Sequence, residues 1–313
     1  MASKGDKNMN IVILDGHVIN PGDISWDVLK PYCDNLTIYG KTAPEEILDR
    51  IQDCEILVTS KCPITREIME KAPKLQYIGE TATGYNNIDV EAAKDLGIAV
   101  TYIPAYATDA VAQHTIALIL ELVNNVGLNN ESVQKGEWAN SEYFCYWKKP
   151  VILLAGKSLG IIGYGSIGKR VAEIAKALGM TIHVYSQDKE AAMKSDFISL
   201  HCPLTKDTAK MVNDAFIAQM KPGAVLINTA RGGLIDEDAL ARALKDGRVS
   251  GAAMDVLATE PAAKDCSLIG LDNCIITPHM AWAPKEMRQA VIDVLVSNLE
   301  SWLNHETVNR VDV

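Results

Sequence analysis

Leu159–Gly168 reads LGIIGYGSIG and is followed by KRVAEIAKALG. The apolar run predicts a buried strand, and Gly163-Tyr164-Gly165-Ser166-Ile167-Gly168 predicts a tight turn. Beyond it, Val171, Ile174, Ala175 and Leu178 share one helical face. Strand, glycine turn and helix stand in the order a dinucleotide site requires. Gly163 permits the turn, Gly165 admits a pyrophosphate close to the backbone, and Gly168 lets helix and strand approach each other. The helix start then offers unpaired N–H groups and a positive dipole end to phosphates. A glycine turn of this kind is common in other settings, so its neighbours carry the rest of the reading.

Upstream, IVILDG, NLTIY, EILVTS, LQYIG and IAVTYI read as strands. Between them SWDVLKPY, APEEILDRIQ, TREIMEKA and DVEAAKDLG read as short helices, with Thr42 and Thr65 as N-caps. A long helix is expected from Thr108 to Val126, with Val111, Thr115, Leu118, Leu122 and Val126 as its stripe. His114 lies on that helix and reads as a packed or solvated side chain. Residues 127–158 read as irregular, and Trp138, Tyr143, Phe144, Tyr146 and Trp147 cluster there, which suggests a subunit contact. Downstream, TIHVYS, DFISLHCP, AVLINTA, GAAMDVL and CIITPH are strands, DAFIAQM and DEDALARAL are helices, and residues 284–304 form the last helix. Alternating β and α through both halves predicts α/β architecture with two doubly wound parallel-sheet domains.

At 313 residues the chain is long enough for two cores. A net charge of −10 with scattered basic residues argues against a nucleic-acid surface. No apolar run reaches the ~18 residues of a membrane span, so no membrane partner is expected. The polar start MASKGDKNMN reads as a frayed extension or an expression remnant, without a signal-peptide core. Cys33, Cys54, Cys62, Cys145, Cys202, Cys266 and Cys274 form neither a CxxC pair nor a zinc-finger spacing. They read as reduced thiols of a cytoplasmic protein, and no metal site is expected.

Four polar positions follow predicted strands, where open α/β sheets bind ligands. Arg231 in INTARGGLIDE has the planar fork that suits a carboxylate. Glu260 in ATEP, His279 in ITPHMAW and the segment Thr81–Gly84 are the others. Singly, each reads as an ordinary surface or turn residue. Together they match what a nicotinamide ring needs: a bound carbonyl compound, a cation for its carboxylate and a proton donor.

The segments TATGYNNID, YATDAVAQHT, LGIIGYGSIGKRVA, SDFISLHCPLT, INTARGGLIDE, MDVLATEP and TPHMAWAPKE span residues 81–286. In their order and content the chain resembles the D-isomer-specific 2-hydroxyacid dehydrogenases, nearest the glycerate dehydrogenase and hydroxypyruvate reductase branch. The resemblance implies a flavodoxin-like substrate-binding domain, residues 1–103 and 285–313, with an NAD(P)-binding Rossmann domain, residues 104–284, inserted near Pro104 and Pro284. It implies hydride transfer between NAD or NADP and a small 2-oxoacid, hydroxypyruvate or glyoxylate foremost. Arg231, Glu260 and His279 would be catalytic: His279 donating a proton, Glu260 holding the imidazole and favouring its charged form, Arg231 binding the substrate with the Thr83 and Gly84 N–H groups. Thr108, Gly163, Gly165, Ser166, Ile167, Gly168, Ser186, Cys202, Pro203, Thr208, Thr229, Ala230, Arg231, Asp255 and His279 match cofactor-contacting positions. A homodimer is implied, in which Trp147 would line the partner's active site.

Two departures stand out. Ser186 occupies the position where NAD-preferring members carry an acid; with Lys189 nearby this suits a 2′-phosphate, while Asp188 offers a substitute acid. From Ser186 to Phe197 the chain is short, and a strand and helix that usually flank the adenine pocket are expected to be absent, through a trimmed sheet edge or through missing residues. The same fold also serves nucleotide-sensing corepressors, which gives a competing non-enzymatic reading, and relatives acting on phosphite or formate give a third.

Overall fold

The computed structural model describes residues 9–104 and 106–313; the polar start, residues 1–8, lies outside the described residues. In chain order the elements are β1 (Asn10–Ile13), β2 (Asn35–Ile38), α1 (Ile47–Ile51), β3 (Ile56–Thr59), α2 (Arg66–Glu70), β4 (Tyr77–Glu80), α3 (Val90–Asp95) and β5 (Ala99–Thr101). Then come α4 (Thr108–Asn124), α5 (Val126–Gln134), β6 (Ser158–Ile162), α6 (Ser166–Ala177), β7 (Thr181–Val184), α7 (Lys189–Met193) and β8 (Phe197–Leu200). The chain finishes with α8 (Asp214–Gln219), β9 (Ala224–Asn228), α9 (Glu237–Lys245), β10 (Val249–Met254), β11 (Cys274–Ile276) and α10 (Lys285–Leu303).

These elements form two compact units, one of Met1–Ala107 with Ala283–Val313 and one of Thr108–Trp282. The first holds a five-stranded parallel sheet in the order β2-β1-β3-β4-β5, the flavodoxin-like arrangement. Every residue of β3 and β4 is buried, as expected of strands covered on both faces. Helix α10 lies against β4: a Cβ placed on Gly79 would come within 2.5 Å of the Leu295 side-chain tip, so glycine there lets the helix pack close to the strand. The Tyr77 and Trp302 rings meet at 5.0 Å, and Asn298 donates to the Tyr102 carbonyl.

The second unit holds a six-stranded parallel sheet, β11-β10-β9-β8-β6-β7. The chain reverses its direction of travel between β7 and β8, which flank β6 on opposite sides. The crevice beyond β6 is therefore the topological switch point where such sheets take ligands. Helices α4 and α6 cover one face, with Ala112, Ile116, Ile119, Val171 and Ala175 buried against Leu159, Ile161 and Ile227.

Three expectations need correction. Thr42 is not the cap of the first helical turn: its hydroxyl donates to the Leu14 carbonyl at 2.5 Å, and Ala43 holds the cap position. Thr65 does cap, accepting from the Ile68 amide. The long helix stops at Asn124, because Asn125 adopts the left-handed conformation (φ 51°) and starts a second helix, α5. Thus 127–134, read as irregular, is helical, and α4 and α5 are bent by 59°. No single helix among the described residues is long and apolar enough to cross a membrane.

The short connection after β7 contains one five-residue helix, α7, and no strand; β8 returns directly to pair with β6. The position beyond β7, where a Rossmann sheet usually places its third strand, is untenanted among the described residues. Asp188 caps α7 through the Ala191 amide at 3.0 Å. The helix sits so close to the sheet that a Cβ on Gly160 would lie 2.3 Å from the Ala192 carbonyl oxygen. Gly160→Ala is expected to lower unfolding stability by about 1–3 kcal/mol through this backbone clash, measurable by urea denaturation against the wild type.

Candidate active site

Gly163 has φ +97°, and a Cβ there would meet the backbone of His201 and Cys202 at 2.4 Å. At Gly168 a Cβ would lie 2.2 Å from the Gly163 carbonyl oxygen, so the start of α6 presses on the turn itself. Gly165 differs: nothing lies within 4 Å of its added Cβ. Two glycines thus close the turn and one keeps its outer side open. Gly165 is also the N-cap of the twelve-residue α6, with no side chain capping its first amides. An open backbone facing free helix N–H groups fits a dinucleotide pyrophosphate. Asp109 at the start of α4 holds Arg170 of α6 at 2.8 Å, and Thr108 is half-buried beside it.

Because β9, β10 and β11 are neighbours in a parallel sheet, their following loops emerge at one edge. Arg231 follows β9, Glu260 follows β10 and His279 follows β11. Asn228, fully buried at the end of β9, shapes the first loop: its amide donates to the Arg231 carbonyl at 2.9 Å and its oxygen accepts from the Ala230 N–H at 3.0 Å. Thr229 is tied to α4 by Thr115 at 2.8 Å. The Arg231 side chain is exposed, with Nη1 donating to the Ala230 carbonyl at 2.7 Å. The next residue must be glycine: a Cβ on Gly232 would fall 1.9 Å from the Leu257 carbonyl carbon.

That contact sets the backbone of the Arg231 loop against Leu257. Leu257 donates its N–H to Glu260 Oε1 at 3.0 Å, and Glu260 Oε2 accepts from His279 Nδ1 at 2.6 Å. The imidazole and carboxylate are partly exposed, 31% and 37%, so the pair is reachable from solvent. His279 itself stands at φ +52°, a left-handed conformation that an L residue adopts only under constraint. Asp255 supplies the constraint. Its buried carboxylate accepts from Thr277 Oγ1 (2.6 Å), the Met280 N–H (2.9 Å) and the Ala281 N–H (2.8 Å), while its carbonyl accepts from the His279 N–H (2.7 Å).

His114, read as a packed or solvated side chain, is packed, with partners that the sequence did not show. Its Nε2 lies 3.0 Å from Thr277 Oγ1 and 3.4 Å from Asp255 Oδ1. It sits three residues after Val111 and four before Leu118, inside the buried stripe of α4, and that spacing was the available signal. Burial opposes the charge on Asp255, but hydrogen bonds from His114, Thr277 and the two amides outweigh it and hold the carboxyl below the usual carboxylate range.

The remaining positions are distributed as follows. Cys202 and Pro203 follow β8; the Cys202 thiol is pushed up by burial, and Thr208 donates to the Pro203 carbonyl at 2.8 Å. Ser186 is exposed in the turn after β7. Thr83 is exposed and Gly84 half-buried in the loop after β4, within the first unit. Trp138, Tyr143, Phe144 and Trp147 are all more than half exposed, Phe144 at 91%. No group of three metal-binding side chains occurs among the described residues.

A family model for the NAD binding domain of D-isomer specific 2-hydroxyacid dehydrogenases matches residues 116–281. This chain belongs to that family. The chain is 44% identical over 322 residues to the hydroxypyruvate reductase of Blautia hydrogenotrophica, covering 97% of this chain and 100% of the relative. It is 42% identical over 280 residues to the glycerate dehydrogenase of Methylorubrum extorquens, covering 86% and 89%. Among solved structures, an acyclic imino acid reductase in complex with NADPH and D-Arg superposes with a TM-score of 0.80 at 33% identity, over 97% of this chain and 100% of that one. The protein is therefore a nicotinamide-dependent oxidoreductase of hydroxyacids and oxoacids, and the corepressor-like reading is not favoured.

The depressed carboxyl of Asp255 carries a pH signature. Its contribution to stability is fully present above its unfolded value near 3.8 and is lost as pH falls through the lower folded value. Asp255→Asn is expected to lower stability by about 1.5–3 kcal/mol at pH 7 and by progressively less as pH falls below 3.8, a trend that thermal unfolding across a series of acidic pH values measures.

Proposed function

We propose that the protein reduces hydroxypyruvate or glyoxylate, with the unit Thr108–Trp282 holding the cofactor and the other unit contributing substrate contacts. The reading is carried by one observation: the His279–Glu260 pair at 2.6 Å, joined through Leu257 to the loop that presents Arg231. The turn Gly163–Gly168 with the α6 amides would hold the pyrophosphate, and Thr108, Cys202, Pro203, Thr208, Thr229 and Ala230 line the approach to it. When bound, a reduced nicotinamide supplies the hydride. Glu260 fixes the imidazole through Nδ1, leaving Nε2 to donate a proton to the substrate's carbonyl oxygen. Arg231 has five donors, and one is engaged by Ala230; the others are available to the substrate carboxylate. The Thr83 and Gly84 N–H groups are proposed as further carboxylate donors. Asp255 acts through the turn rather than on the substrate, since its oxygens are already engaged by internal donors.

The relatives at 44% and 42% identity are a hydroxypyruvate reductase and a glycerate dehydrogenase, which supports the choice of substrate. The exposed aromatics at 138–147 support a homodimer built on that segment, with Trp147 reaching the partner's site. Cysteines with neither a CxxC pair nor a zinc-finger spacing support a reducing, cytoplasmic setting.

His279→Ala is expected to lower kcat for hydroxypyruvate by ~10²–10⁴; turnover within tenfold of the wild type in a steady-state assay would refute the proton-donor role. Cofactor choice is a separate matter. Asp188, the substitute acid, already holds the Ala191 amide as a helix cap, and Ser186 brings no charge. This supports use of NADPH alongside NADH. Ser186→Asp should lower kcat/KM for NADPH roughly tenfold or more by like-charge repulsion while sparing NADH, in parallel titrations of the two cofactors.

A further inference from the structure

Glu80 is the last residue of β4 and is fully buried, yet no step above uses it. It stands at the stem of the loop that carries Thr83 and Gly84. The near end of that loop is pinned by the Thr81 N–H on the Thr59 carbonyl at 2.8 Å, and by Thr81 Oγ1 against Ser60 Oγ at 2.6 Å. The far end is pinned by the Ile64 N–H on the Asn87 carbonyl at 2.8 Å. Across the loop, Asn87 Nδ2 donates to Glu80 Oε2 at 2.9 Å and to the Cys62 carbonyl at 3.2 Å. The other carboxyl oxygen, Oε1, has no hydrogen-bond partner among the described residues.

We propose that Glu80, as a neutral carboxylic acid, is the positioning residue that braces the Thr81–Asn87 loop for a substrate carboxylate. This rests on the reading of Thr83 and Gly84 as carboxylate donors. A buried carboxylate with an unsatisfied oxygen is unfavourable, and the acid form avoids the charge. The charged and titratable groups that face it are Asp15 beyond β1, Lys61 beyond β3 and Tyr106 after β5. Burial, aided by Asp15 and opposed by the Asn87 bond and Lys61, pushes the Glu80 carboxyl up to about 9. Above that pH the loop stem gains a negative charge beside Asp15, and an anionic substrate must then bind next to it. Substrate affinity should fall there, with cofactor affinity unaffected.

The sign for folding is opposite to that of Asp255. Because the folded value is raised, Glu80 opposes stability increasingly from about pH 4.5 to about pH 9. Glu80→Gln removes the titration while keeping an acceptor for Asn87.

The test compares wild type, Glu80→Gln, Glu80→Ala and Asn87→Ala. In the wild type, KM for hydroxypyruvate is expected to rise up to about tenfold between pH 8 and 10, with KM for the nicotinamide cofactor flat. Glu80→Gln should match the wild type at pH 7.5 and remove most of the alkaline rise. Glu80→Ala and Asn87→Ala should raise KM at pH 7.5 and leave kcat largely unchanged. Amide exchange of residues 81–88, followed without substrate, should quicken in Asn87→Ala and remain at the wild-type rate in Glu80→Gln. An alkaline rise undiminished in Glu80→Gln, or exchange unchanged in Asn87→Ala, would overturn the assignment; if Glu80→Ala does not fold, these two arms decide it. Absence of wild-type turnover would instead refute the substrate reading, and the exchange arm would still decide the brace.

Discussion

The Asp255 carboxylate is the constraint on which the candidate site depends. It is buried, and internal donors surround it: a hydroxyl, two backbone amides and the imidazole of His114. A charge desolvated in this way persists only when its acceptors are filled, so the chain from Thr277 to Ala281 must wrap around it. The wrapping forces His279 to positive φ, and from that backbone the side chain meets Glu260. A residue whose oxygens are engaged by internal donors thereby determines where the proposed proton donor stands. The strain at one residue is offset by the hydrogen bonds that its neighbours gain.

Much of this was legible in the sequence because parallel sheets write themselves plainly. Runs such as LGII, FISL and AVLIN are uninterrupted by polar residues, since both faces are covered, and turn residues separate them. Gly163 and Gly168 were readable for the same reason, as each position excludes a side chain by backbone contact. Arg231, Glu260 and His279 could be picked out because each follows a strand, although nothing in their spacing shows that Leu257 connects them.

What stayed hidden was decided by tertiary contacts. Thr42 has the look of a cap, yet a buried carbonyl at Leu14 claims its hydroxyl. The stripe of α4 continues to Val126 in the sequence, but Asn125 tolerates the left-handed conformation and breaks the helix there. His114 was passed over because a single helical histidine is usually unremarkable; its partners lie more than 140 residues away in sequence. Glu80 was invisible for a related reason, since an acid ending a strand gives no hint of being wholly enclosed.

The sheet of the nucleotide-binding unit ends at β7, and that ending has a consequence for solubility. An outermost strand leaves a row of amides and carbonyls that a foreign chain can pair with. Here the strand is four residues, about 13 Å of ladder, and its first residue faces water. A template so brief gives an intruding strand little to register against. With β7 outermost, the exposed rim of this sheet is four residues long.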